Sequence, residues 1–68
     1  MSRIDKIKEH FPVGARVELL QMDDYAAPPK GTQGTVSCVD DVGTVHIKWD
    51  NGSNLGAVLF AGDKIRLV

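Results

Sequence analysis

The side chains with the most reactive chemistry are Cys38, His10 and His46. The strand pairing argued below sets Cys38 opposite His46. A structural zinc site takes four ligands and a catalytic one three, so that pair is short of either. A cysteine nucleophile also needs a depressed pKa, a neighbouring base and donors for the developing oxyanion. A chain of 68 residues offers little room for that machinery. The expectation is no metal, no cofactor and no catalysis, with Cys38 a small buried side chain and His46 a surface one. Asp23, Asp24, Asp40, Asp41 and Asp50 lack the regular spacing of a calcium loop. Asp40, Asp41 and Asp50 suit turns, where a short carboxylate bonds its own backbone. Asp23 and Asp24 open a long loop.

Binding chemistry is better represented. Of the aromatics, Phe11 is expected in the core beneath a helix, and Tyr25 in the long loop is the one expected to be exposed. Trp49 alternates with Val45 and Ile47, which predicts a half-buried ring at the end of the sheet. Aromatic and acidic loop side chains together suit a groove for extended, proline-rich ligands. Asp23, Asp24, Tyr25, Pro28, Pro29 and Trp49 are therefore the candidate surface for a protein partner. The competing role for Tyr25 is structural: it packs on Pro28 or Pro29 and pins the loop. Arg16, Lys48, Lys64 and Arg66 form an alternative, nucleic-acid face. Charge weighs against it. The chain has eight basic and nine acidic residues, a net charge of −1, and from Asp23 to Asp50 five acidic residues stand against two basic ones. A single-strand-binding groove would also interleave stacking aromatics among the cations, and apart from Trp49 none is on a predicted strand.

These side chains must be held by short elements. Ile4, Ile7 and Phe11 fall on one face of a helix that Ser2 can cap and that Asp5 favours in its first turn. Pro12 ends it, because a proline pushes the residue before it out of the helical region. From Gly14 onward, glycines punctuate short runs of Val, Ile, Leu and Thr, the pattern of a small antiparallel β protein. Five strands are predicted, at about 16–21, 34–40, 44–49, 53–59 and 64–68, with Val17 and Leu19 inward and Ile65 and Leu67 as the last apolar pair. Asp41-Val42-Gly43 and Asp50-Asn51-Gly52 share one form, and a three-residue hairpin loop wants glycine in its left-handed third position. That loop length sets Val39 against Val45, Val45 against Ala57 and Ile47 against Leu55. A one-residue slip would turn those apolar side chains outward. Val36 and Val39 are three residues apart, so both can face inward only across a bulge near Ser37 and Cys38. Residues 22–33 form the one long connection, a length usually reserved for function.

Several blocks together carry a resemblance: Val17 and Leu19 after the Phe11-Pro12 step, the Met22-Asp23-Asp24-Tyr25 loop with paired prolines, Gly31-Thr32-Gln33-Gly34-Thr35-Val36, Val39-Asp40-Asp41-Val42-Gly43, and the run from Val45 to Gly52. The chain resembles a small domain-of-unknown-function family of bacterial, plasmid and phage proteins. The resemblance covers nearly the whole chain and implies an SH3-like barrel. A shorter likeness, through Gly34-Thr35-Val36, is to KOW-type barrels of ribosomal and transcription proteins, which carry a basic loop that this chain lacks. The expected architecture is one all-β domain: a five-stranded SH3-like barrel over 13–68, with a helix and proline stop over 1–12. The expected function is a non-enzymatic module binding a protein partner. The alternatives are a KOW-like nucleic-acid module and a small inhibitor of a host enzyme. One cysteine excludes an internal disulfide, and neither a signal-peptide pattern nor a membrane-length apolar run is present, so the expected location is the cytoplasm.

Overall fold

The structure is a computed structural model and describes residues 3–68. The expected cap at Ser2 lies outside the described residues. Helix α1 spans Arg3–His10, and Phe11 closes its last turn by donating to the Ile7 carbonyl (2.8 Å). So short a helix is marginal in water and depends on docking. Ile7 and Phe11 bury their side chains in the core, and the Arg3 guanidinium stands 4.5 Å above the Phe60 ring.

Five strands follow: β1 Arg16–Gln21, β2 Gln33–Val39, β3 Thr44–Trp49, β4 Ala57–Val58 and β5 Lys64–Leu67. They form one antiparallel sheet in the order β4-β3-β2-β1-β5. The all-β expectation with one leading helix holds. Closure into a barrel does not follow from the ladders: β4 and β5 are the two edges, and the sheet is open between them.

Both hairpin turns have the expected three-residue form. In the first, Gly43 N donates to Asp40 O and Asp40 N to Thr44 O. In the second, Gly52 N donates to Trp49 O and Trp49 N to Ser53 O. Gly43 and Gly52 hold φ of 86° and 92°, the left-handed region closed to most side chains. The register therefore places Val39 opposite Val45 and Val45 opposite Ala57. The predicted bulge is present. Pairing shifts by one between Val36 and Cys38, so Ser37 is the extra residue.

The core consists of Val17, Leu19, Val36, Val45, Ile47, Trp49, Ala57 and Ile65 from the sheet, with Ile7 and Phe11 from the helix side. Each large aliphatic side chain buried there contributes about 1.5–3 kcal/mol relative to exposure.

Four expectations need correction. The predicted strand 53–59 is reduced to β4. Ser53 N bonds the Asn51 side chain, Leu55 N bonds Ser53 Oγ and Leu55 O receives the Trp49 indole, so this stretch satisfies its backbone locally. Leu59–Ala61 then turns as a 3-10 helix. Leu55 accordingly does not pair with Ile47 and is only half-buried. Cys38 is exposed rather than buried, because the bulge turns Ser37 and Cys38 outward together. Leu67 is 42% exposed, because β5 is an edge strand with no further strand beside it among the described residues.

Candidate functional site

The long connection leaves β1 at Met22 and returns to it at Gly31 and Thr32. Gly31 N donates to Leu19 O (2.8 Å), and Leu19 N donates to Thr32 O (2.9 Å). Between these points Asp24 braces the chain: its Oδ1 accepts from Ala26 N (2.8 Å) and its carbonyl from Ala27 N (2.9 Å). Further on, the Pro29 carbonyl accepts from both N–H and Oγ1 of Thr32. Pro28 is buried and anchors the loop.

A groove of about 430 Å³ opens between the start of this loop and the corner made by residues 55–63. Met22, Leu55, Val58 and Ala61 give it an apolar lining, and Asp23, Asp24 and Asp63 add three carboxylates. Asp63 also holds the corner in shape, accepting from Val58 N at Oδ2 (2.9 Å). Asp23 carries no hydrogen bond or ion pair among the described residues. One residue beyond Asp24, Tyr25 is fully exposed at 105% of its reference area. Tyr25 does not pack on Pro28 or Pro29, contrary to the structural role considered for it.

Only part of the candidate surface is thus brought together. Asp23 and Asp24 line the groove, Tyr25 is exposed next in the chain to Asp24, and Pro29 is exposed on the same loop. Pro28 and Trp49 are not available. Trp49 is 2% exposed, and its Nε1 donates to the Leu55 carbonyl at 2.8 Å. Its third place in the Val45-Ile47-Trp49 alternation puts it in the core, and the irregular 53–56 segment covers it. Sequence reasoning missed Leu55, Val58, Ala61 and Asp63. They are far from the loop along the chain, and no motif ties them to it.

Cys38 and His46 are Cα partners across β2 and β3, as expected. The imidazole is engaged elsewhere: its Nε2 lies 2.9 Å from Asp40 Oδ2. Asp40 Oδ1 meanwhile accepts from the backbone N–H of Val42 and Thr44, locking the first hairpin turn. The bonds from His46 and then Thr44 hold the Asp40 carboxyl below the ordinary aspartate value. Among the described residues no His, Cys, Asp or Glu side chains cluster as a metal site.

The basic residues are divided by their partners. Arg16 grips both oxygens of Asp50 (2.9 and 2.6 Å) and reaches Thr35 Oγ1 (3.0 Å), joining β1, β2 and the second turn. That bond holds the Asp50 carboxyl low and raises the Arg16 pKa further. Arg66 bonds Glu18 across β1 and β5. Lys48 and Lys64 project outward on β3 and β5. Two of the four cations proposed for a nucleic-acid face are therefore neutralised by carboxylates.

No described helix is long and apolar enough to cross a membrane. No curated protein and no solved structure matches the chain. The model of the family described as Domain of unknown function (DUF4314) matches residues 1–68, end to end, and the chain belongs to that family.

Proposed function

We propose that the chain is a non-enzymatic interaction module on an SH3-like sheet, and that it binds a protein partner in the groove between residues 22–25 and 55–63. The order β4-β3-β2-β1-β5 is a four-strand meander with the last strand returned to the first, the order of an SH3-like barrel. The observation that carries the reading is the groove itself: an apolar lining, three carboxylates and a fully exposed tyrosine next in the chain to Asp24. Such a site suits an extended segment that places an apolar side chain against the lining and lysine or arginine at the carboxylates. An exposed tyrosine is the kind of side chain that serves as an anchor at interfaces.

The test is capture of a partner from a cell lysate by the intact chain and by a double variant, Asp23→Lys with Tyr25→Ala. Asp24 is left in place because it braces the loop. The double variant is expected to keep its thermal midpoint and to lose the partner. Equal capture by both proteins removes this surface as the binding site.

A further inference from the structure

The two free edges of the sheet are not alike. β4 has two residues, and the 3-10 turn and the Val58–Asp63 bonds close its end. β5 has four residues and no neighbour on its outer side among the described residues. Val68 N donates to Arg16 O (3.1 Å), and Arg66 faces Glu18. Antiparallel alternation then makes Arg16/Val68 and Glu18/Arg66 the hydrogen-bonded pairs. The N–H and C=O groups of Ile65 and Leu67 consequently point away from β1. No other backbone bond reaches them among the described residues. This edge offers two donors and two acceptors in strand register.

The side chains along the edge say what would fit. Ile65 and Leu67 lie on the core side, and Leu67 stands at the open margin of the core, 42% exposed. Lys64 and Arg66 lie on the outer side, where Arg66 bonds Glu18. We propose that the outer edge of β5 accepts an added strand from a protein partner whose side chains alternate between apolar and acidic. The apolar ones extend the core over Leu67, and the acidic ones stand beside Lys64, which carries no ion pair among the described residues, Arg66 being held by Glu18. A second copy of this chain fits badly. Antiparallel pairing centred on Arg66 sets the two Arg66 side chains opposite each other, pairing centred on Ile65 sets Lys64 opposite Arg66, and pairing centred on Leu67 joins only residues 66–68 among those described. Like charges directly opposite are destabilising. The proposal is independent of the groove, since Ile65, Leu67, Lys64 and Arg66 take no part in it.

The experiment is residue-resolved amide hydrogen exchange on the intact chain, alone and with a capped eight-residue peptide of alternating valine and glutamate. A valine–lysine peptide is the control. In the free chain the Ile65 and Leu67 amides are expected to exchange at loop-like rates, while Arg66 and Val68, bonded to β1, are protected. The acidic peptide is expected to slow Ile65 and Leu67 at least roughly tenfold, less so as salt rises, and the basic one to leave them unchanged. Leu67→Pro removes an outward N–H and the leucine side chain, both on the partner's side of the edge, and no bond to β1, so Arg66 and Val68 should stay protected while the peptide loses its effect. Lys64→Glu, on an exposed side chain, should weaken the acidic peptide and admit the basic one, which keeps the test decisive if the proline variant fails to fold. The proposal is overturned by protection of Ile65 and Leu67 in the dilute free chain, or by equal effects of the two peptides or none. Protection that rises with protein concentration alone also overturns it, because the occupant is then a second copy.

Discussion

Replacing Gly34 with alanine tests whether β2 and β3 approach each other as closely as the core requires. Gly34 is buried opposite Trp49. A Cβ built there would stand 2.6 Å from Ile47 Cγ2, 2.9 Å from the Lys48 carbonyl oxygen and 3.0 Å from Trp49 Cα. Rotation of Ile47 can relieve the first contact. The other two are backbone atoms of the neighbouring strand, so the ladder itself must open. Overpacking of this kind costs about 1–3 kcal/mol, and the lower entropy of the unfolded alanine chain returns roughly 0.4–1. Taken at mid-range the two leave a net loss of about 1.3 kcal/mol, large beside the ~3–5 kcal/mol a core of this size supplies. At ~4–8 °C per kcal/mol the thermal midpoint should fall by roughly 5–10 °C. Gly56→Ala is the internal comparison, because its new Cβ would press mainly on a side-chain methyl, Thr44 Cγ2 at 2.7 Å, and only lightly on backbone. Melts followed by circular dichroism should rank wild type above Gly56→Ala and Gly56→Ala above Gly34→Ala. A Gly34→Ala protein as stable as wild type would refute the close packing of β2 on β3.

Other consequences follow from single bonds. Trp49→Phe keeps an aromatic ring but removes the donor to Leu55 O, and denaturant melts should show a loss of about 1–3 kcal/mol. In the wild-type chain the buried Trp49 should fluoresce at short wavelength and shift red on unfolding. Acid should destabilise the fold through Asp40 and Asp50, whose carboxyls are held below the ordinary value by His46 and by Arg16 respectively. Their stabilisation is complete above the unfolded carboxylate value of about 4 and is lost as pH falls through the depressed native values. Asp50→Asn should flatten that acid dependence, measured as the unfolding midpoint against pH, and an unaltered slope would show that the Arg16 pair contributes nothing.

Much of the fold was legible in local pattern. Alternation in Val17-Glu18-Leu19 and Val45-His46-Ile47 identified two strands to the residue. The Asp-x-Gly form of both turns implied their length and hence the register. The mismatch of Val36 and Val39 with strict alternation announced the bulge. The candidate site was legible only on its loop side: Asp23, Asp24 and Tyr25 were visible as an acidic stretch with one aromatic. Its opposite wall depends on where the 55–63 corner falls in space, and no local pattern encodes that.

By itself the sequence determined where β1 and β3 extend, where the chain reverses between β2 and β3 and after Trp49, and that Val17, Leu19, Val45 and Ile47 alternate inward, because these depend on spacing and on the conformational freedom of residues such as Gly43 and Gly52. Tertiary structure decided burial at the margins. Trp49 lies inside because the 53–56 segment folds over it, Leu67 lies outside because β5 is an edge of the sheet among the described residues, and Arg16 meets Asp50 because three strands bring them together. Each outcome turns on what stands beside a residue in space, and neighbours of that kind come from distant parts of the chain.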